Sequence, residues 1–510
     1  MVGIKSDCAF LDRVTRVRVV RADDTKIEIG STAETQRKII RCSLRLSGEK
    51  GSIDLMDLKD KRVLVVGLGK SGVASALFLK AHGARVTVSD SKPEAELREE
   101  ILLLLDQGIT VETGGHGDRT FRGQDLIVVS PGVPFDAPQL EQARALGESV
   151  IGEVELASQF LPGPMVAITG ANGKTTTTTL AGEIIAAGKF NTLVGGNIGT
   201  PAITFVDHAR PDTWTVLEVS SFQLETIVTF RPRIAVILNI TPDHLDRHKT
   251  FTNYVNAKAR IFENQQLEDF VVLNADDPTT AGLAGRSRAQ LFWFSRKNEV
   301  GRGASVRGGN IYFRDDKSER EIMQLSEIPL KGAHNLENVL AGVSIGMLVG
   351  CQPSQIREAV RNFKAVEHRL EFVAQVAGVD YYNDSKATNV DATIKALESF
   401  PANIHLILGG KDKGSDYSVL NDLLRARVKR VYTIGAAASK IEAQIAGATE
   451  IVASQTLDTA VRQASESAAA GDVVLLAPAC ASFDQFRSYE HRGQVFKEAV
   501  QALAAREPRK

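Results

Sequence analysis

"GPMVAITGANGKTTTTT", residues 163–179, is the stretch that decides the fold. The apolar run from Met165 reads as a short strand, Gly170 to Gly173 as a turn, and the threonine run after Lys174 as the first turns of a helix. A strand, a glycine turn, a lysine and a hydroxyl in that order form a loop that cradles phosphate. Gly170 and Gly173 open the backbone N–H groups of the Gly170–Ala171–Asn172–Gly173 turn to phosphate oxygens. Lys174 brings positive charge to the β- and γ-phosphates, and Thr175 offers its hydroxyl to Mg²⁺. Thr176 bonds phosphate through its hydroxyl or its N–H. Thr177 to Thr179 read as structural, with hydroxyls that bond back to the helix. The spacing GxxGKTT is shorter than the usual GxxxxGK[ST], because Ile168 stands where the first glycine belongs.

Outward from this loop the chain alternates strands and helices, the pattern of parallel α/β sheets. Upstream, "RVLVV" from Arg62, "ARVTVSD" and "DLIVVSPGV" read as strands, with the helix "VASALFLKAHG" between the first two. Downstream, "WTVLEVSS", "RIAVILNI" and "FVVLNADD" are strands, residues 303–315 a hairpin, and "NLENVLAGVSIGMLVG" a helix. "NIHLILGG", "RVYTIG" and "DVVLLAPA" mark a third unit. The expected fold is α/β in three domains. A Rossmann-like domain spans 56–151, a central P-loop-type ATPase domain with a parallel sheet spans 152–365, and a second Rossmann-like domain spans 366–510. Residues 1–55 are charged and weakly periodic. They are expected to be an extension, poorly ordered or at most a loose hairpin, with the functional protein starting near Met56.

The 510 residues suffice for two to four domains. A net charge of −1 gives no overall field that favours nucleic acid or a membrane surface. Cys8, Cys42, Cys351 and Cys480 form no CxxC pair, so neither a zinc site nor a disulfide framework is indicated. No apolar run approaches the ~18 residues of a membrane helix. The expectation is a cytoplasmic monomer with reduced thiols.

A second glycine loop, "GLGKSG" at 67–72, follows a strand and opens a helix. Backbone N–H groups and the helix dipole there favour a pyrophosphate, and Asp90 ends the next strand, placed to accept from a ribose or base. A tight turn with no ligand is the other reading of the same residues. In the central unit Glu218 ends the strand after the phosphate loop, where a carboxylate can hold the nucleotide's Mg²⁺. "NITPDHLDRH" ends the next strand with Asp243, His244, Asp246 and His248 at the edge of the expected ligand cleft. His244 is the expected functional histidine, and His248 reads as structural.

Nine motifs occur in order: "GANGKTT", "GGNIGTP", "EVSSFQLE", "NITPDHLDRH", "YVNAKARIFEN", "KGAHNLENVLA", "EHRLE", "YNDSKATN" and "LAPACASFDQF". Together they resemble the Mur ligases, ATP-dependent amide-forming enzymes of peptidoglycan synthesis. The resemblance covers about residues 57 to 505. "SSFQLE", "NDSKATN" and "PACASFDQF" resemble the member that joins D-glutamate to UDP-N-acetylmuramoyl-L-alanine (UDP-MurNAc-L-Ala). The resemblance implies that ATP converts the substrate carboxylate to an acyl phosphate, which the amine of D-glutamate then attacks. It also implies two Mg²⁺ ions, one held by Thr175 and Glu218 and the other by His244 and Lys258. Lys258, a plain helix lysine on its own spacing, would carry a CO₂-derived carbamate. Asn335 and Asn338 would meet adenine, and Arg369 and Asp384 the phosphates and ribose. Lys386, Thr388, Lys413, Ser482 and the backbone at Tyr489 would form the D-glutamate pocket, with the register of Lys411 against Lys413 open. Asp243 would bond the incoming amine. Gly69, Lys70, Ser71, Asp90, Ser91, Lys92 and Gly132 would hold the UDP moiety, with Ser130 facing the same crevice, and Asn197 would reach the diphosphate.

Three alternatives are weighed against this reading. A sibling ligase adding L-alanine, a diamino acid, or glutamate to folate would differ in the C-terminal pocket. An NAD-dependent dehydrogenase with an accessory phosphate loop would bind NAD at Gly67–Gly72 and leaves "HLDRH" without a role. A non-catalytic nucleotide-binding scaffold would not need the catalytic positions filled.

Overall fold

The computed structural model describes residues 16–20, 26–30, 57–117, 119–364 and 366–506. They fall into two compact units, residues 1–56 and residues 57–510. In the first, the alternating strand Arg16–Val20 pairs antiparallel with Lys26–Gly30, Val20 opposite Lys26. This is the hairpin side of the expectation for the extension. The other residues up to Met56, and with them the expectation of poor order, lie outside the described residues.

The larger unit holds three sheets. The first has five parallel strands in the order Thr110–Glu112, Arg85–Ser89, Arg62–Val66, Leu126–Val129, Val150–Gly152. Strand order reverses between Arg62–Val66 and Leu126–Val129, which opens a ligand crevice at their carboxyl ends. The loop Gly67–Gly72 and the turn at Ser130 both leave from that point, and the Ser130 hydroxyl donates to the Gly67 carbonyl at 2.9 Å. Gly72 is demanded by the turn, since a Cβ there would lie 1.8 Å from the Gly67 carbonyl oxygen.

The central sheet has nine strands. Seven are parallel, in the order Thr192–Gly196, Trp214–Glu218, Met165–Thr169, Ile234–Ile237, Phe270–Asn274, Gln290–Ser295, Gly303–Arg307. Asn310–Arg314 and Glu319–Gln324 continue it antiparallel, which confirms the hairpin at 303–315 and adds a third strand. Met165–Thr169 is buried at every residue, and its helix Lys174–Ala187 packs Leu180, Ile184 and Ile185 against Val339, Leu340 and Val343 of the helix Ala333–Val349. The Thr177 hydroxyl donates to Asn338 Oδ1 at 3.2 Å across that contact, so it bonds the neighbouring helix rather than back to its own as expected.

The third sheet has six strands, in the order Glu371–Val376, Val379–Asn383, Val473–Leu476, Ile404–Gly409, Val428–Ile434, Glu450–Gln455. All its pairs are parallel except the first, a hairpin turned by Ala377 and Gly378, both at positive φ. Two positive-φ residues between strands form the turn that suits strand twist. The sequence pattern does not reveal this hairpin because Ala-Gly is a weak turn signal. No helix among the described residues is long and apolar enough to cross a membrane.

Candidate active site

The strand Met165–Thr169 lies between Trp214–Glu218 and Ile234–Ile237, with Glu218 in register with Ile168 and Ile237 with Thr169. The phosphate loop therefore has the Glu218 carboxylate on one side and the segment Asn239–His244 on the other. Asn239 braces the loop from that side. Ala171 N–H donates to the Asn239 carbonyl at 2.8 Å and Asn172 N–H to Asn239 Oδ1 at 2.8 Å, while Asn239 Nδ2 donates to the Asn172 carbonyl at 3.1 Å. Those two N–H groups are thus engaged within the protein. The N–H groups of the first helical turn, from Lys174 on, have no intrahelical acceptors and remain the anion-facing set.

The charged groups converge on this turn. Lys174 Nζ donates to the carbonyls of Gly170 at 2.8 Å and Ala171 at 2.9 Å. Lys258, only 1% exposed near the end of the helix Phe251–Ala259, donates to the same Gly170 carbonyl at 2.8 Å. Its Nζ lies 4.7 Å from the centroid of the Tyr254 ring. Burial, and then the charge of Lys174, holds the Lys258 ammonium well below the usual lysine value. A lysine held in that way favours the neutral amine, the form that reacts with CO₂.

Glu218 is buried, and its Oε2 accepts from the Thr175 hydroxyl at 2.8 Å. Burial alone would raise this carboxyl. The ammonium groups of Lys386 and Lys174, with hydrogen bonds from Asn197 and Thr175, hold it below its usual value. A carboxylate beside a hydroxyl at the end of a phosphate loop is an oxygen pair suited to a hard cation. His244 sits at φ 54°, a backbone conformation rare outside glycine and often found at functional sites. Its own N–H donates to Asp243 Oδ1 at 2.9 Å. Burial, outweighing Asp243, lowers its imidazole below the usual 6.5 and favours the neutral, ligating form. His248 is buried, with Nε2 2.9 Å from the Ser221 hydroxyl and Nδ1 3.2 Å from Glu225, the structural placement expected.

Residues of the third sheet close over this centre. Lys386 Nζ donates to the Thr175 hydroxyl at 2.8 Å, so a residue expected only in the glutamate pocket also touches the phosphate loop. Asn389 Nδ2 donates to Asp243 Oδ2 at 3.0 Å. The charge of Lys413 reaches both Asp243 and His244. The Lys411 backbone is tied to Ala481 by paired hydrogen bonds of 2.8 and 3.1 Å. A cleft between the two segments is lined by Asn172, Gly173, Thr176, Asn335, Asn338, Arg369, Asp384 and also His334. Asn338 Nδ2 donates to Asn335 Oδ1 at 3.1 Å, which fixes the amides of both. Asp384 is pushed up to about 6 by burial, against the pull of Arg369.

Thr388 follows Lys386 in the same turn, its N–H on the Lys386 carbonyl at 2.8 Å. Ser482 is buried beside Cys480 and Ala481, and Tyr489 opens the helix Tyr489–Arg506, where N–H groups lack helical acceptors. Sequence reading missed what joins these pieces. Arg492, with no exposed surface, donates from Nε and Nη2 to the Ser385 hydroxyl and carbonyl at 3.0 and 2.8 Å. From Nη1 and Nη2 it also donates to the Cys480 carbonyl, at 3.1 Å each. A lone arginine inside a helix carries no motif, so no sequence signal marks it.

In the first sheet, Asp90 Oδ2 accepts from Leu68 N–H at 2.6 Å and Oδ1 from Lys92 N–H at 2.9 Å. The carboxylate braces the loop that carries Gly69, Lys70 and Ser71, and Ser91 lies inside the brace. Gly132 leaves the neighbouring strand end with open space where a Cβ would be. Asn197 Nδ2 donates to Glu218 Oε1 at 2.8 Å, so it orients that carboxylate. Arg247 donates to the carbonyls of Pro131 at 2.8 Å and Val133 at 3.0 Å, linking the Asp243–His244 segment to this crevice.

Three family models match the chain: the MurD-like N-terminal domain of Mur ligases over residues 61–152, the Mur ligase middle domain over 168–346, and the Mur ligase glutamate ligase domain over 368–480. The UDP-N-acetylmuramoylalanine–D-glutamate ligase of Koribacter versatilis is 68% identical over 452 residues, 89% of this chain and 100% of that protein. The like-named protein of Acidobacterium capsulatum is 60% identical over 449 residues, 88% and 97% of the two chains. Two solved structures from Thermotoga maritima share the fold. UDP-N-acetylmuramate–alanine ligase aligns with a TM-score of 0.55 at 20% identity, covering 87% of this chain and 99% of that one. MurF ligase in complex with ADP aligns with a TM-score of 0.55 at 16% identity, covering 88% and 99%.

Proposed function

The chain belongs to the Mur ligase family and adds D-glutamate to UDP-MurNAc-L-Ala with ATP; we propose that it does so through an acyl phosphate formed around Lys174, Glu218, His244 and Lys258. Membership of this family replaces the dehydrogenase and scaffold alternatives. The observation that carries the site assignment is the convergence of Lys174 and Lys258 on the Gly170 carbonyl, with the Thr175–Glu218 pair beside the same loop.

Two anions, the substrate carboxylate and the γ-phosphate, must come together, so the centre has to supply concentrated positive charge. Lys174 supplies part of it. Mur ligases use ATP and Mg²⁺, and the oxygen and nitrogen donors here suit two such ions. Thr175 and Glu218 would hold one, and His244 with the carbamate of Lys258 the other. When bound they would screen the two anions from each other. A carboxylate oxygen of the substrate bonds to the γ-phosphorus and ADP leaves. The amine of D-glutamate, hydrogen-bonded to Asp243, then attacks the acyl carbon, the C–O bond to phosphate breaks, and inorganic phosphate departs with the proton the amine loses.

Residues 56–151 would hold the UDP moiety at the Gly67–Gly72 crevice, with Lys70, Ser71, Asp90, Ser91, Lys92 and Gly132. Residues 152–365 would hold ATP, with Asn335 and Asn338 at adenine and Arg369 and Asp384 reaching it from the segment 366–510. That last segment would take D-glutamate at Lys386, Thr388, Lys413, Ser482 and Tyr489. A cytoplasmic monomer without nucleic-acid or membrane partners, serving cell-wall growth and hence cell shape and division, fits this role.

The test is phosphate release with UDP-MurNAc-L-Ala, ATP and Mg²⁺, comparing D-glutamate with L-glutamate, L-alanine and L-lysine. Turnover with D-glutamate alone is expected. Turnover with L-lysine in its place would reject the assignment.

A further inference from the structure

One helix N-terminus fastens the third sheet's segment to the phosphate loop, and the residue that does most of it is Asp391. The helix Val390–Glu398 is capped by Asn389, whose Oδ1 accepts from Ala392 N–H at 2.8 Å. Asp391 is therefore not needed as the cap. Its Oδ2 accepts from three side chains instead: Asn172 Nδ2 at 2.5 Å, Thr241 Oγ1 at 3.2 Å and Lys395 Nζ at 2.9 Å. Asn172 stands 219 residues away in the phosphate loop and Thr241 150 residues away, just before Asp243 and His244.

Four features mark this as more than a surface contact. Asn239 fixes the Asn172 backbone from both its N–H and its carbonyl, so the Asn172 side chain alone is free to reach across the cleft. The acceptor is a carboxylate oxygen shared by three donors, one of them the Lys395 ammonium, and charge-assisted hydrogen bonds of that kind are stronger than neutral ones. A carboxylate beside a phosphate loop would repel the nucleotide, and Lys395, one helical turn away, offsets that charge. The neighbouring Asn389 makes the parallel contact to Asp243, so both ends of the reacting centre are tied to one helix turn.

We propose that Asp391 is a positioning residue, the latch that holds the amino-acid-binding segment closed on the phosphate loop while the acyl phosphate exists. The proposal rests on the reacting centre assigned above and adds to it a device that keeps water out. With the latch open, water reaches the acyl carbon, the bond to the phosphate oxygen breaks, and phosphate leaves with the carboxylate regenerated and no amide formed.

The experiment uses the full chain with UDP-MurNAc-L-Ala, ATP, Mg²⁺ and D-glutamate, and measures phosphate and amide together. The wild type is expected to release close to one phosphate per amide. Asp391→Ala is expected to release more phosphate than amide and to raise KM for D-glutamate about tenfold, with a smaller change in kcat. Asp391→Asn keeps an acceptor oxygen and is expected to recover most of the coupling. Asn172→Ala cuts the same bond from the other side, so its effect and that of Asp391→Ala should fail to add in the double variant. If melting shows that Asp391→Ala does not fold, Asn172→Ala carries the test. Wild-type stoichiometry and KM in the folded single variants overturn the latch. A wild type that couples nothing to D-glutamate overturns the assigned function instead.

Discussion

Lys258 shows how far a single residue's meaning depends on its surroundings. In the sequence it is one of 61 lysines and arginines, and its helical spacing makes it look solvated. Folded, it is buried between the Tyr254 ring and the Gly170 carbonyl beside a second ammonium, conditions that disfavour its charged form. Lys258→Ala is expected to cut amide formation by at least about 100-fold. Short-chain carboxylates added to that variant should restore part of the rate, and intact mass of the native wild type should show the carbamate. Glu153 makes the opposite point, because nothing in the sequence marked it. Its Oε1 accepts from Ile203 N–H at 2.7 Å, its Oε2 has no partner, and burial pushes it from 4.5 to about 7. A carboxyl that binds its proton more tightly when folded contributes stability that is fully present below about pH 4.5. That contribution is lost as the pH rises through about 7. Glu153→Gln removes this dependence. Between pH 5 and 8 the wild type should lose up to about 3 kcal/mol relative to that variant, read by denaturant unfolding at the two pH values.

At the scale of an element, the strand–turn–helix around Lys174 is the best-determined piece of the molecule. Local propensity, glycine placement and burial all point the same way there. Gly173 sits at φ 86°, and a Cβ on it would come 2.2 Å from Asn338 Oδ1. Gly173→Ala therefore strains the turn and displaces the Asn338 amide. An effect of about 1–3 kcal/mol is expected, seen as a rise of about tenfold or more in the KM for ATP. The edge hairpin Glu371–Asn383 is the counter-case. Its Ala-Gly turn is chemically adequate but statistically quiet, and its strands were legible only once they had a sheet to join. Arg492 belongs with it, since a buried guanidinium earns its place from carbonyls brought in by two other segments.

For the whole molecule, the contacts Lys386–Thr175, Asn389–Asp243 and Asp391–Asn172 join the phosphate loop's sheet to the one that follows. A ligand that bridges both should stabilise the folded chain as a unit. A non-hydrolysable ATP analogue with Mg²⁺ at about 100 times its dissociation constant should add about 2.7 kcal/mol. The melting temperature reads that gain, and Glu218→Gln should lose most of it.

The sequence by itself determined the α/β architecture, the order of the sheets, the phosphate loop and the residue types at the reacting centre. The architecture and the phosphate loop follow from hydrophobic periodicity and from glycine and lysine spacing, which act over a few residues, whereas Lys258 was marked only by the resemblance of its motif to the Mur ligases. The tertiary structure alone decided that Asn197 orients Glu218, that Asn239 takes two loop N–H groups, and that Asp391 reaches Asn172. Each is a contact between segments far apart in the chain. No local pattern encodes such a contact, because its geometry exists only after separate strands have been brought side by side.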